Sequence, residues 1–216
     1  MWILHRVPGR PRLPVLPGDN KRAGSASVLY NSSRMSVGPK ILNVKTLAQS
    51  RLFRIEQVGL RFANGVEADY ERLQASASGA VLIVPMLDAE TVLLVREYAV
   101  GVERYELGFA KGRIEPGEDA LTAANRELME EVGYAARRLS QVSVLTAAPG
   151  YFGHLTHVIL AEDLYPQRRV GDEPEPIEVV PWKLNDISAL LAREDFTEAR
   201  SIAALFIVRE RLAYGG

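Results

Sequence analysis

The chain has 216 residues, of which 47% are hydrophobic and 25% charged, enough to bury a substantial core in one domain plus a small additional unit. Its net charge of −1 argues against non-specific binding to nucleic acid, which depends on clustered positive charge. The absence of cysteine excludes disulfides, thiolate metal sites and cysteine nucleophiles, and no apolar run approaches the about 18 residues that span a bilayer, so we expect a cytoplasmic protein with no membrane partner.

The first 34 residues differ in composition from the rest of the chain. They carry six Arg or Lys against one acid, Asp19, together with four prolines and little periodicity. The prolines disfavour the amphipathic helix of a transit peptide, so we predict a disordered extension over residues 1–34. Because Met35 directly precedes the patterned region, we expect the functional protein to start near it. A regulatory tail is the alternative.

The next elements in chain order are predicted to be strands. Residues 51–63 and 66–74 read as a hairpin, since the Asn64-Gly65 pair between them is a strong turn signal. A second apolar pair, AVLIVPML and TVLLVREYAV, follows at 80–87 and 91–100 around a polar DAE turn, and Tyr105-Glu106-Leu107 is also strand-like.

The segment 112–134, GRIEPGEDALTAANRELMEEVGY, is acidic and has helical spacing. Glu127, Glu130 and Glu131 stand at i, i+3 and i+4, which places their carboxylates within about 100° of arc on a helix. Unpaired, such neighbours destabilise a helix by about 0.2–0.5 kcal/mol per pair. Arg126, one turn before Glu130, can neutralise part of this charge.

The same segment carries signals for both ends of the helix and for its buried side. Pro116-Gly117 predicts a turn before the helix, and Gly133 stands where a left-handed glycine cap is expected. A second stripe should face the core, at about 110° from the carboxylates, formed by Leu121, Ala124, Leu128 and Val132. The carboxylates would then open sideways into a cleft.

Two interpretations of these carboxylates are open at this point. An acidic run on a helix is most often a solvated face. The alternative is a cation site, and carboxylate oxygens favour Mg²⁺ or Mn²⁺ with places left for water and substrate phosphates.

Beyond this segment the pattern predicts three more strands and two helices. The strands are expected at 139–146, 155–161 and 177–182, and the helices at 186–192 and 197–213, where apolar residues repeat at helical intervals. An acidic, proline-stiffened loop, GDEPEP at 171–176, precedes the last strand.

The acidic segment matches a known motif at every defined position. Gly112, five residues, Glu118, seven residues, then Arg126-Glu127-Leu128-x-Glu130-Glu131-x-Gly133-Tyr134 resembles the Nudix box. This resemblance implies a Nudix hydrolase, a family that cleaves nucleoside diphosphates linked to another moiety. It also implies an α/β sandwich with a mixed sheet.

The resemblance assigns roles to particular residues. Glu127, Glu130 and Glu131 look like ligands of a divalent metal ion, with Glu118 and the backbone carbonyl of Lys111 as supporting ligands. Arg126 looks like the residue that orients the glutamates. The family also needs a later carboxylate as catalytic base, for which Glu173 and Glu175 in the GDEPEP loop are the candidates; a solvated acidic loop is the alternative.

Further phrases resemble the ADP-ribose pyrophosphatase branch of the family, and its NudE type in particular. They include PKILNV, SRLF, REYAVG, YELGFAKG, GDEPEP and ALFIVRE. In that branch a small N-terminal β domain exchanges between subunits, which implies such a domain at residues 35–76, a Nudix domain at 77–216 and a homodimer. A small hairpin is marginally stable alone, which is a physical reason for pairing.

Two departures from that branch bear on the substrate. The usual Arg-Gln-aromatic-Arg reads Arg96-Glu97-Tyr98-Ala99 here, so the second arginine is missing, and the spacing from Glu106 to Gly112 is two residues longer. Both departures favour the wider range of the NudE type, namely ADP-ribose, NADH and diadenosine triphosphate.

Three residues remain as candidate substrate contacts: Arg96, Glu106 and Tyr151. Arg96 could contact a phosphate or pair with Glu97 or Glu106. Tyr151 lies in AAPGY at 147–151, which resembles a substrate loop of the family, and could stack on a base; an ordinary turn is the alternative.

The sequence therefore predicts a pyrophosphohydrolase that uses Mg²⁺ or Mn²⁺ and releases AMP plus a second monophosphate from ADP compounds. One alternative is a Nudix-fold sensor that binds ADP-ribose or NAD without catalysis. Such sensors lose one or more box glutamates, and this chain keeps them all. A nucleotide-sugar or RNA-end pyrophosphatase is a second alternative.

Overall fold

The computed structural model describes residues 38–74 and 78–214. The extension predicted at residues 1–34 lies outside the described residues. The strands are β1 Lys40–Gln49, β2 Arg54–Arg61, β3 Glu67–Leu73, β4 Ala80–Pro85, β5 Thr91–Ala99, β6 Arg104–Gly108, β7 Lys111–Arg113, β8 Tyr134–Ala148, β9 Phe152–Pro166 and β10 Glu178–Lys183. The α-helices are α1 Ala120–Glu127, α2 Ile187–Leu191 and α3 Ala199–Tyr214.

The N-terminal strands form an antiparallel meander. β2 and β3 pair from Ile55↔Leu73 to Arg61↔Glu67, and the turn between them has Gly65 at φ 79°, so the predicted hairpin is confirmed. The sequence did not predict β1, which pairs with β2 and whose residues are all exposed. The meander joins the rest of the fold through a parallel bridge between Leu73 and Phe152.

The strands of the described chain, including those of the meander, form two sheets. The larger has seven strands in the order β1-β2-β3-β9-β4-β7, with β8 paired to β9, and the smaller has the order β10-β5-β6. The predicted strands at 80–87 and 91–100 are both present, but they belong to different sheets. A single bridge, Met86↔Val92, links them, so the expected apolar pair splits into two sheets instead of forming a hairpin.

Alternate side chains of β4 and β5 enter two separate cores, as the two-residue period of a strand requires. Leu82, Val84 and Leu94 pack on the side of α3. Val81, Ile83, Leu93 and Val95 pack on the side of α1. The strands are thus buried between helical layers, which explains their nearly continuous apolar sequence and confirms the α/β class.

The C-terminal predictions are also close to the structure. The predicted helix at 186–192 is α2, preceded by a 3₁₀ turn at Leu184–Asp186, and the one at 197–213 is α3. α3 buries Ala204, Leu205 and Val208 in the core that also contains Leu82 and Val84. Among the described residues, no helix combines the length and the apolar character needed to cross a membrane.

Candidate active site

The acidic helix begins and ends as its sequence predicts. The turn at Pro116-Gly117 is present with Gly117 at φ 85°, and the Asp119 side chain then caps α1 by accepting from the amides of Leu121 and Thr122, both at 2.9 Å. The helix ends at Gly133, which has φ 83°. The left-handed glycine cap is therefore confirmed.

The last turn of this helix is wider than an α-turn. Leu128–Val132 form a π-helical turn, in which the Gly133 amide donates to the Leu128 carbonyl at 3.1 Å. Such turns are rare and often occur at functional sites. Glu130 and Glu131 lie within this turn, directly after Glu127 at the end of α1.

The buried stripe of the helix differs from the prediction at one position. Ala124, Leu128 and Val132 are buried as expected, but Leu121 is 39% exposed and Ala123 is buried in its place. Leu121 lies in the first turn, where it borders a surface hollow together with Thr122 and Asn125. The prediction for Leu121 was wrong because the buried side of the helix is turned toward Ala123 and Glu127, which are both buried, and away from Leu121.

Arg126 is the centre of the carboxylate cluster. Its Nη1 donates to Glu127 Oε1 at 2.7 Å and to Glu130 Oε2 at 3.1 Å. Its Nε and Nη2 donate to Glu118 at 3.1 and 3.0 Å, and Nη2 also donates to the Arg113 carbonyl at 2.9 Å. These bonds, led by the one to Glu118, raise the pKa of Arg126 and lower the pKa of Glu118. Two of the three like charges predicted to repel, those of Glu127 and Glu130, are thus bridged by one guanidinium.

Glu127 fits against the backbone of β7 because residue 112 is a glycine. A Cβ atom on Gly112 would lie 1.9 Å from the Glu127 carboxyl carbon, far inside van der Waals contact. Burial raises the pKa of Glu127 although Arg126 opposes the rise, and the negative charges of Glu130 and Glu173 add to it. Gly112 is therefore the position that lets this carboxylate lie in the site.

Glu131 is the most deeply placed carboxylate of the cluster, and it accepts from the Lys111 amide at 3.3 Å. Burial raises the pKa of Glu131 to about 8, and the charges of Glu127 and Glu97 contribute while Lys111 opposes. The Lys111 ammonium lies 3.7 Å from Glu97. Sequence reasoning did not single out Glu97, although it stands where the ADP-ribose pyrophosphatase branch usually has glutamine.

The residue types of this cluster fit a divalent cation. Within residues 38–74 and 78–214, no group of three or more acidic or histidine side chains already surrounds one point as ligands would. Glu127 and Glu130 instead accept from Arg126. Nevertheless the donors are hard oxygens, and two of them are buried carboxylates whose pKa values are raised, so a dication would stabilise their charged forms.

The acidic loop, residues 171–176, brings a further carboxylate toward this cluster. Glu173 is half-buried, folds over Gly171, and its charge contributes to the raised pKa of Glu127. Glu175 is exposed and accepts from the Tyr105 hydroxyl at 2.6 Å. The structure therefore separates the two candidate bases, since Glu173 is the one that acts on the cluster.

A cleft of about 410 Å³ lies beside the cluster. Its walls come from the acidic loop, from the adjoining start of β10 and from the ends of β5 and β6. They are formed by Arg96, Glu97, Tyr98, Tyr105, Glu173, Pro174, Glu175, Pro176, Ile177 and Glu178. The two tyrosines were not predicted as site residues, although Tyr105 directly precedes Glu106 and Tyr98 lies two residues after Arg96.

The predicted substrate contacts have different surroundings. Arg96 lines the cleft and pairs with Glu178 at 2.9 Å and with Asp195; of its two predicted alternatives, pairing with Glu97 or Glu106 is not found, and the contact with a phosphate stays a prediction. Glu106 accepts from the Thr197 hydroxyl at 2.9 Å at the start of α3 and does not line the cleft.

Tyr151 lies in the β8–β9 turn and is not among the residues that line the cleft. Its carbonyl accepts from the Leu73 amide at 2.8 Å, which places the turn against the N-terminal meander. The structure thus brings Arg96 to the cleft but not Glu106 or Tyr151. Their roles stay predictions.

Family models match most of the described chain. A model of the NUDIX domain matches residues 78–206, and a model of the NudE-type Nudix hydrolase N-terminal domain matches residues 39–72. These matches lie on either side of the predicted domain boundary after residue 76, which stays a prediction.

Known proteins and a solved structure agree with these matches. The chain is 52% identical over 174 residues to ADP compounds hydrolase NudE of Escherichia coli (strain K12), covering 81% of this chain and 93% of the relative. It is 29% identical over 173 residues to ADP-ribose pyrophosphatase of Bacillus subtilis (strain 168), covering 77% and 92%. A crystal structure of ADP compounds hydrolase superposes with a TM-score of 0.79 at 50% identity, over 85% of this chain and 99% of that one. The fold implied by the box is confirmed.

Proposed function

The chain belongs to the NudE-type Nudix hydrolases, and from this premise we propose that it hydrolyses ADP-ribose and NADH to AMP plus a second monophosphate, and diadenosine triphosphate to AMP plus ADP. Action on ADP compounds as a Nudix pyrophosphohydrolase follows from the close relationship to ADP compounds hydrolase NudE and to ADP-ribose pyrophosphatase. The identity of the three substrates is the proposed part.

One observation carries the proposal: a complete carboxylate set is gathered around Arg126 beside an open cleft. All four box glutamates are present, and three of them share the same guanidinium. Glu131, the fourth, is buried against the Lys111 amide. A sensor that only binds its ligand has no need for this arrangement, which concentrates negative charge at a cost in folding energy.

We propose that this set holds Mg²⁺ or Mn²⁺, with Glu127, Glu130 and Glu131 as side-chain ligands, Glu118 in support and the Lys111 carbonyl as a backbone ligand. When bound, such ions neutralise a pyrophosphate, lower the pKa of an attacking water and stabilise the leaving phosphate. The chain's own contribution is positional. Arg126 fixes the rotamers of three glutamates, and Gly112 leaves room for Glu127.

Glu173 is our candidate for the general base. A base must reach the attacking water within hydrogen-bond distance. Glu173 is the loop carboxylate whose negative charge contributes to the raised pKa of Glu127. Glu175 is instead engaged with the Tyr105 hydroxyl. We therefore assign proton removal to Glu173 and a supporting role in the loop to Glu175.

The test is a hydrolysis assay. Purified protein is incubated with Mg²⁺ or Mn²⁺ and with ADP-ribose, NADH, diadenosine triphosphate, GDP-mannose and dGTP, and release of the nucleoside monophosphate (AMP, GMP or dGMP) is quantified; EDTA provides the control. We expect AMP from the three ADP compounds and little turnover of GDP-mannose and dGTP. Tight binding of ADP-ribose without any turnover would contradict the proposal and favour a sensor.

We further propose a homodimer that pairs through the N-terminal meander. β1 is exposed along its whole length although it carries Ile41, Val44 and Leu47, which is unusual for an apolar strand of a monomer. Light scattering after gel filtration should give twice the 23.9 kDa of one chain. Val44→Asp should shift the mass toward one chain, whereas Lys45→Glu, at the adjacent exposed position, should not. A wild-type monomer would contradict this proposal.

A further inference from the structure

Two exposed tyrosines form one wall of the cleft. Tyr98 on β5 and Tyr105 on β6 are direct register partners, and their rings lie 5.4 Å apart at 74°. The side chains remain 48% and 46% exposed although both are large and aromatic. Exposed aromatic pairs inside a cleft are typical of surfaces that bind a ring.

The rest of the cleft has an apolar part and a charged part. Pro174, Pro176 and Ile177 give it further apolar surface near the tyrosines. Four acids line it against one arginine, Arg96, and that arginine is already paired with Glu178 and Asp195. A phosphate is therefore repelled from the cleft unless cations are present, and the tyrosine wall is left for an uncharged, flat part of the substrate.

The cleft also adjoins the carboxylate cluster. Glu97 and Glu173 line the cleft. The negative charge of Glu97 contributes to the raised pKa of Glu131, and that of Glu173 contributes to the raised pKa of Glu127. A nucleotide whose pyrophosphate lies at the cluster can thus extend its base into the cleft.

We propose that Tyr98 and Tyr105 form a subsite for the aromatic heterocycle of the substrate, an inference that rests on the proposed function. Tyr105 has a second role as a positioning residue, because its hydroxyl donates to Glu175 in the acidic loop that carries Glu173. Ring binding and placement of the base candidate therefore share one side chain.

Steady-state kinetics with ADP-ribose and NADH separate these roles. Tyr98→Ala should raise KM about tenfold, the order of effect that one base–aromatic stack contributes, while Tyr98→Phe stays near wild type. Tyr105→Phe keeps the ring and loses the bond to Glu175, so KM should hold while kcat falls several-fold. Tyr105→Ala should change both. Tyr214→Ala removes an exposed tyrosine at the end of α3 and is the matched control.

Competition experiments identify the ring. AMP, nicotinamide mononucleotide and ribose 5-phosphate are compared as inhibitors of wild type and Tyr98→Ala. If adenine occupies the subsite, the alanine variant weakens AMP about tenfold and leaves the other two unchanged; if nicotinamide does, the mononucleotide is weakened instead. Ribose 5-phosphate, which has no ring, should be unaffected in both cases.

Failure of the subsite and failure of the proposed function are distinguishable. If wild type hydrolyses no ADP compound, the proposed function is wrong, and calorimetric titration of AMP and nicotinamide mononucleotide into wild type and Tyr98→Ala still decides whether the subsite exists. Unchanged KM, inhibition and binding in both alanine variants would overturn the subsite. An unchanged kcat in Tyr105→Phe would overturn the positioning role.

Discussion

The acidic helix and the acidic loop both contribute carboxylates to one site, but they are held in place differently. In the helix, one guanidinium joins Glu118, Glu127 and Glu130, and Glu131 is buried against a backbone amide. Across the described part of the chain, the side-chain hydrogen bond that ties the loop to another element runs from Tyr105 to Glu175. The half that we propose to bind the metal ion is thus preorganised, whereas the half that carries the base candidate is restrained by few contacts.

This difference separates two tasks of a hydrolase. Preorganised charges stabilise a transition state without having to reorganise during the reaction. A loop with few restraints can instead adjust to substrates of different shape, which suits a range of ADP compounds. The following variants test whether the two regions divide the work in this way, beginning with the largest expected effect.

Glu131→Gln should lower kcat by about a thousandfold, since loss of a metal ligand removes several kcal/mol of charge stabilisation. The fold should survive, because glutamine can still accept from the Lys111 amide. Assays at saturating Mg²⁺ measure the effect, and Glu115→Gln, an exposed glutamate of the same segment, is the control. Unimpaired turnover would refute the assignment of Glu131 as a ligand.

Glu173→Gln should lower kcat by about a hundredfold or more, as expected for loss of a general base, with little change in KM. Glu175→Gln should cost less than tenfold, because Glu175 holds the loop and does not contact the reacting water. The ratio of the two kcat values is the readout. Equal effects, or a larger effect at Glu175, would reverse our assignment of the base.

Gly112→Ala should lower activity by about a hundredfold, since displacing Glu127 by 1 Å is enough to misplace a catalytic group. The added Cβ overlaps the Glu127 carboxylate, so a loss of about 1–3 kcal/mol in the free energy of unfolding should accompany it. Gly101→Ala is the control, because a Cβ there meets no atom within 4 Å. Equal behaviour of the two variants would show that Glu127 needs no such room.

The smallest effect concerns stability and pH. The pKa of Glu131 is about 8 in the folded state, above its ordinary 4.5, so its favourable contribution is complete below pH 4.5 and is lost as the pH rises through 8. In EDTA, the Tm of Glu131→Gln relative to wild type should therefore rise by about 3 °C between pH 6 and pH 8.5. A constant difference in Tm across this range would contradict the buried, raised-pKa environment of Glu131.

Much of the acidic helix could be predicted because each feature there has a local cause. The turn at Pro116-Gly117, the cap at Gly133 and the alignment of the glutamates all follow from backbone and helix geometry. The π-helical turn at Leu128–Val132 could not be predicted, since it depends on how this end of the helix packs in the fold. Leu121 was misplaced because the buried side of the helix includes Ala123, Glu127 and Glu131, and periodicity of apolar residues does not reveal that glutamates are buried.

Outside the helix, predictions of elements succeeded more often than predictions of their partners. β4 and β5 were predicted as neighbours, yet the two strands belong to different sheets. For Arg96 the only pairing partners considered were acids nearby in sequence, whereas in the structure it pairs with Asp195 and Glu178. The tyrosine wall was missed because Tyr98 and Tyr105 become neighbours only when β5 pairs with β6. Long-range pairing of this kind leaves little trace in a single sequence.

The central claim is that the acidic helix binds the metal ion and the acidic loop supplies the base. It is tested most directly by titrating Mn²⁺ into wild type, Glu131→Gln and Glu173→Gln. Free Mn²⁺ is followed by electron paramagnetic resonance, and AMP release is measured on the same samples. We predict that Glu131→Gln loses both Mn²⁺ affinity and turnover, whereas Glu173→Gln binds Mn²⁺ like wild type and fails to release AMP. Wild-type Mn²⁺ affinity in Glu131→Gln, or loss of Mn²⁺ binding in Glu173→Gln, would contradict the account.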